Sequence, residues 1–559
     1  MTDAAVTSPV TQLADSFWEW FLAQSPIYAT ALGFEQYDDR LPDPSADGRQ
    51  REIDYLRQLL ADIAALERDS LDGEDAITLD MLGVVGRIQL RHHENRMHHF
   101  EAVDAMAGPQ GLPAELSRYQ RADTPERLDR LIRRLELFPS YLAAHTANLE
   151  EGLAAGRTAA RPVVDRVLEQ TRRLAATPLD EAPLLAANRD LTTDARQRLR
   201  RALADHVQPA LVDYEAAIER YLPHAREGAG VWALPDGQAV YETLILATTT
   251  VEANARELHD YGLAQIELIA DEQQRIASEL GHADVAALRT AIGGDPALVA
   301  RQRHVLVERA EHHIELAMAA APRYFGRLPR AQCVVRSVEE YQEAEAPPAF
   351  YLPPPPDGSR PGIFYINTYQ PESRPLHRIA AATFHEAVPG HHFQIAIETE
   401  LEGLPIFRRL GSRLVGMAYS EGWGLYAERL ADEMGLYVDT FERLGMLDAQ
   451  AWRAARLVVD TGIHAFRWTR QQSIDLLRQV GLSQLEAETE TDRYITWPAQ
   501  ALAYMTGMRE IVALRHELEE RDGERFDLPA FHDAVLGHGS LPLATLRREL
   551  PGWVNPRTN

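Results

Sequence analysis

The chain has 559 residues, 45% of them hydrophobic and 25% charged, with a formal net charge of -27; that length exceeds one ordinary core and predicts two or more packed subdomains, and the composition excludes a wholly disordered chain. The acidic balance repels phosphate backbones and anionic bilayers, so neither nucleic acid nor membrane is an expected partner. All 57 basic residues are arginine, which excludes chemistry that needs a lysine amine: Schiff bases, a Walker phosphate loop, a Ser–Lys dyad.

In chain order, Met1 to Ala5 lack the basic stretch and apolar core of a signal peptide, and no apolar run is long enough to span a bilayer, so a cytoplasmic protein is expected. Amphipathic helices follow, for example Ile53–Leu66, Arg127–Leu153, Asp194–Tyr221 and Val251–Leu280, with apolar residues at three- and four-residue spacing. Turn signals separate them, such as Leu41-Pro42-Asp43-Pro44 and Gly293-Gly294-Asp295-Pro296. His92-His93 and His98-His99 sit in a polar helical stretch without a matching carboxylate pattern and read as surface histidines. Residues 1–325 thus form an N-terminal helical region, and 326–559 a metal-binding region packed against it.

The pattern changes near residue 331. Gln332–Val338 reads as a strand holding Cys333, the sole cysteine. A disulfide within the chain and a thiolate zinc cluster are therefore excluded, and the apolar Cys-Val-Val run predicts a core position. Ala349–Leu352 and Gly362–Tyr369 read as two strands joined by the prolines 353 to 356 and the turn Asp357-Gly358-Ser359-Arg360-Pro361. Prolines bordering Gly362–Tyr369 suit an edge strand, whose free backbone groups can pair with an extended peptide.

Leu376 to Phe384 is a helical run that delivers His385 and Glu386 together. Zinc hydrolases place two histidines on one helix face with a glutamate beside the first: the imidazoles bind the metal, and the glutamate takes a proton from its water. Here Pro389 and Gly390 interrupt the usual four-residue spacing. With a bulge, His391 takes the second ligand position; without one, His392 is nearly in phase with His385 but roughly 10 Å along the axis. His391 is preferred, and His392 stays open as ligand or support. Glu421, at the start of the helix in Tyr419-Ser420-Glu421-Gly422-Trp423-Gly424-Leu425-Tyr426-Ala427-Glu428, supplies the third ligand, and Glu428 can hold a histidine from behind.

Farther on, Asp460, His464 and Trp468 share four-residue spacing, which makes His464 a candidate proton donor or support oriented by a carboxylate. Arg493, Tyr494 and Tyr504 are candidates to steady an oxyanion beside the metal. His538, in Gly537-His538-Gly539-Ser540, is a weaker candidate.

These residues resemble the bacterial domain-of-unknown-function 885 family, whose His-Glu-x-x-Pro-Gly-His-His-x-Gln motif is matched here through Gln394. Pro26-x-x-Ala29-Thr30-x-x-Gly33 with Tyr37-Asp38-Asp39-Arg40-Leu41 looks like its N-terminal signature. Arg456 to His464 and Arg493-Tyr494-x-x-x-Pro498-x-Gln500-Ala501-x-x-Tyr504 look like later motifs, and Phe531 to Leu536 with Gly539 to Leu543 look like its tail. The resemblance covers nearly the whole chain. It implies a mainly helical fold similar to helical zinc peptidases such as thimet oligopeptidase and the thermostable carboxypeptidase Taq group. The Ser-Glu-Gly-Trp-Gly-x-Tyr segment also looks like Asn-Glu-Gly-Phe-Ala-x-Tyr of zinc aminopeptidases, whose glutamate is a ligand; Ser420 replaces that asparagine.

The combined expectation is a mainly α, multi-helix, zincin-like metallopeptidase architecture with a small β-sheet next to the active site. The expected protein is a zinc-dependent hydrolase of peptides or small amides with Glu386 as general base. The alternatives are a zinc hydrolase of non-peptide amides or esters, and a non-catalytic helical binding protein. Exo- or endo-cleavage and oligomeric state are left open by the sequence.

Overall fold

The computed structural model describes residues 8–339, 343, 346–355, 358 and 360–554. The chain is mainly helical with one three-stranded sheet, and it divides into two compact units. The first comprises residues 1–243 with 463–470 and 495–498; the second comprises 244–462, 471–494 and 499–559. The division falls at residue 243, so residues 244–325 belong with the ligand motif rather than with the N-terminal helices.

Local signals set the helix ends. Ser45, Asp72 and Thr124 each accept a backbone N–H from the first turn of the helix that follows them, and Asn254 and Glu257 form a reciprocal capping box at Ala255–Glu279. The expected segment 127–153 is two helices, Pro125–Glu136 and Phe138–Ala154, and 194–221 is helical throughout with a widened turn at Leu203–Val207. In the first unit Arg134 is fully buried. It donates to the carbonyls of Arg40 and Tyr37, to Thr30 Oγ1 and to Gln120 Oε1. Thr30 also donates to Asp38. The N-terminal signature residues therefore wrap one buried guanidinium, which needs all its donors satisfied.

In the second unit the strands are β1 (Cys333–Ser337), β2 (Ala349–Leu352) and β3 (Gly362–Ile366), in the order β1-β3-β2. β3 pairs in parallel with β1 and antiparallel with β2. The strand expected at an edge is thus the centre of the sheet. Its run of Ile363, Phe364 and Ile366 is buried, the pattern of a strand covered on both faces, and Pro361 lies outside the ladder. Cys333 is half-buried in β1, and burial pushes its thiol up to about 12, which suits packing rather than nucleophilic attack. Pro356, Asp357 and Ser359 of the predicted turn lie outside the described residues. Among the described residues no helix is long and apolar enough to cross a membrane.

Candidate metal centre

The His385 helix spans Ile379–Glu386 and stops where Ala387 leaves helical geometry; the chain turns through Val388-Pro389-Gly390 and restarts as a helix at His391–Thr399. Gly390 is required by contact, since a Cβ there would lie 1.9 Å from the His385 carbonyl oxygen. The turn is pinned by Trp423, whose indole N–H donates to the Pro389 carbonyl at 2.9 Å. Glu421 stands in the first turn of Ala418–Glu433. One turn on, Gly424 leaves room for an imidazole: a Cβ there would meet the His385 ring at 2.8 Å.

The result is a cluster in which His385, His391 and Glu421 each offer one ligand atom, all within 4.8 Å of one another. His385 Nε2 and His391 Nε2 lie 3.4 and 3.5 Å from Glu421 Oε2. Ligands at ~2.0–2.1 Å from a tetrahedral ion are ~3.3–3.4 Å apart, so the spacing fits zinc. The outer nitrogens fit as well. His385 Nδ1 donates to Glu428 Oε1 at 2.8 Å, and Glu428 is held in turn by Gln450 Nε2 at 3.0 Å. His391 Nδ1 faces Ser420 Oγ at 3.4 Å; Ser420 donates to Gln394 Oε1, and Gln394 donates to Glu398 and Ser540. Each chain of donors places a ring proton on Nδ1 and turns Nε2 into the cluster, the arrangement a metal-binding imidazole needs. Gln450, Ser540 and the Ser420–Gln394 link carry no sequence signature of this role; only the fold brings them here.

The field of the cluster favours a cation. Burial opposes charge on His385, but hydrogen bonds to Glu421 and Glu428 and the charge of Glu386 prevail and hold the imidazole up to about 10. Burial opposes charge on Glu421 too, yet His385 and His391 hold its carboxyl well below the usual range. Removing the supporting carboxylate should therefore loosen the metal. Glu428→Ala is expected to weaken zinc binding about 10–100-fold, read by competition with a chelating dye; unchanged affinity would detach Glu428 from the site.

His392 is placed apart. Its Nδ1 accepts from the Tyr351 hydroxyl at 2.8 Å and its Nε2 donates to the Ala331 carbonyl at 3.1 Å. Both nitrogens are engaged, and burial lowers its pKa to about 4. The restart of the helix at residue 391 turns His391 to the cluster and His392 to the sheet.

Among the other candidates, Tyr504 is the one beside the ligands. Its ring stacks against His385 with centroids 6.3 Å apart. Tyr494 is fully buried, and its hydroxyl accepts from Arg456 Nε and Trp452 Nε1. Arg493 donates to Gln500 and lies 3.6 Å from Glu490. Neither joins the ligand cluster. His464 belongs to the first unit, is buried, and accepts the Val231 N–H at 3.2 Å. It ends its helix (Thr440–His464), so Trp468 lies beyond that helix, off the expected face. Asp460 accepts the Ala499 N–H with both oxygens. His538 stacks on Trp553 at 3.7 Å.

A second trio, His98, His99 and Glu151, converges in the first unit. His99, expected at the surface, is 1% exposed. Its Nδ1 accepts from Arg157 at 3.1 Å and its Nε2 lies 3.3 Å from Glu151. That arrangement keeps the ring proton on Nε2, aimed at the carboxylate, with a guanidinium beside the ring. It suits a hydrogen-bonded cluster and opposes a cation, the reverse of His385.

The chain belongs to the family described as "Bacterial protein of unknown function (DUF885)", whose model matches residues 26–550. Its structure is similar to that of a "putative lipoprotein" from Colwellia psychrerythraea, with a TM-score of 0.90 and 27% identity over 97% of this chain and 98% of that one. A "putative lipoprotein of unknown function" from Shewanella oneidensis shares the fold, with a TM-score of 0.80 and 20% identity over 97% of this chain and 100% of that one. No curated protein matches the chain.

Proposed function

We propose that this chain is a zinc-dependent hydrolase of peptides, zincin-like in the way helices present its ligands. One observation carries the reading: Glu421 Oε2 stands at tetrahedral ligand spacing from both imidazole Nε2 atoms, with each imidazole's Nδ1 engaged from behind. The cluster is reachable, since the side chains of His391 and Glu421 are 11% and 16% exposed. Zinc held by His385, His391 and Glu421 would supply Lewis acidity and acidify a water. Glu386 adjoins the first ligand, is half-buried, and stands outside the ligand set, where a carboxylate can take the proton of an attacking water and pass it to the leaving amine. Tyr504, beside His385, can donate to the developing oxyanion. β2 forms one edge of the sheet and touches the His385 helix, which supports an extended peptide as substrate in place of the β3 pairing expected earlier.

The test uses protein purified without a histidine tag, stripped with a chelator and then restored with zinc. Equimolar zinc and hydrolysis of peptides that vanishes and returns with the metal are expected. Sub-stoichiometric zinc after supplementation, with no hydrolysis across peptides, small amides and esters, would sink the proposal.

A further inference from the structure

The helix Thr440–His464 carries Trp452, Arg453 and Arg456 toward Tyr504. The Arg456 guanidinium carbon lies 4.3 Å from the Trp452 ring centre and 4.4 Å from that of Tyr504; Arg453 lies 4.4 and 5.7 Å from the same two rings. Two guanidiniums thus lie against the same pair of aromatic rings. Arg456 is 2% exposed; it donates to Tyr494 and to Glu490, and its third nitrogen, Nη1, is buried without a partner. Arg453 is half-buried; its Nε is buried and unpartnered, and among the described residues no carboxylate pairs with it. The acid of this cluster, Glu490, is already shared between Arg456 and Arg493.

In a chain with 84 acidic residues and 57 arginines, an unpaired arginine against a second one calls for an account. Like charges gathered at the same rings repel, and a buried donor without an acceptor is costly. Cation–π contact offsets part of that cost; a bound anion would remove it. The location specifies the anion. Tyr504 stacks on the ligand His385, so the guanidiniums lie within two ring spacings of the metal cluster. The Arg453 guanidinium carbon is at most about 12 Å from the His385 ring centre; once the ~4 Å between a guanidinium and a paired carboxylate carbon is taken off, one or two extended residues at ~3.3–3.6 Å each span the remainder. Resting on the peptidase reading above, we infer that Arg453, backed by Arg456, receives the terminal carboxylate of the substrate, so that the enzyme removes one or two residues from free C-termini.

The probes are benzoyl-glycyl-leucine, its C-terminal amide, and benzoyl-glycyl-glutamic acid amide. Binding is measured by calorimetry to zinc-supplemented Glu386→Gln protein, with and without Arg453→Gln. The free acid is expected to bind at least ~10-fold more tightly than the leucine amide, with the difference gone once Arg453 is replaced. In otherwise wild-type enzyme Arg453→Gln should raise KM for the free acid with little change in kcat. Equal binding of acid and amide, or a preference that survives loss of Arg453, overturns the inference. Tight binding of the glutamate amide overturns the terminal assignment and moves the carboxylate to a side chain. The acid-against-amide comparison holds even if Arg453→Gln fails to fold. Because it needs no turnover, it is separate from the zinc test: hydrolysis indifferent to the peptide end refutes the carboxylate role alone, whereas absence of hydrolysis refutes the peptidase reading, and the cleavage inferred from it, even where the free acid still binds through Arg453.

Discussion

Glu386→Gln is expected to keep equimolar zinc and to lose about 10²–10⁴-fold in the rate of peptide hydrolysis. The amide keeps the shape of the carboxylate but cannot take a proton. Metal retention follows because Glu386 stands outside the ligand trio. Its charge does act on the adjacent imidazole, where it helps to hold His385 up to about 10; its loss makes His385 easier to deprotonate and does not hinder zinc. The measurement pairs metal analysis with turnover of the best substrate. Zinc-loaded protein that hydrolyses at the wild-type rate removes Glu386 from the chemistry.

The second large effect separates two adjacent histidines. His391→Ala deletes one of the three proposed ligands, and zinc affinity should fall by more than ~100-fold, beyond the range for loss of a supporting group. His392→Ala should leave zinc in place and lower stability by about 1–3 kcal/mol, seen as a drop in Tm, because the Ala331 carbonyl and the Tyr351 hydroxyl each lose a buried partner. The opposite pattern would reverse the assignment and with it the geometry proposed for the site.

The sequence made much of this readable for identifiable reasons. The convergence of His385 and Glu421 was legible because each sits in a short local motif, and Glu428 because it follows Glu421 by two turns of one helix. The strand limits were legible to within a few residues, since β-branched and aromatic runs bounded by proline have few other solutions. His391 against His392 was not decidable, because the outcome turns on how the backbone rejoins a helix after Pro389-Gly390. The edge position given to β3 failed because pairing on both sides is a long-range property; the unbroken apolar run Ile363 to Ile366 was the available sign. Tyr494 looked equivalent to Tyr504 in sequence, and His464 looked like a proton donor or support; only packing sets them apart. Arg453 gave no signal, since an arginine lacking an acid partner is recognised only when the spatial neighbours are known.

His391 opens its helix, Glu421 lies in the first turn of another, and Tyr504 is the second residue of a third (Ala503–Asp522), whereas His385 lies in the last turn of its own. Three positive helix ends and one negative end therefore meet around a single small volume. Such a junction can offer a cation its side chains while its peptide dipoles reward negative charge arriving from outside. A tetrahedral phosphonate mimic should thus gain from the backbone field as well as from the proposed metal, an attraction set locally against the acidic balance of the chain.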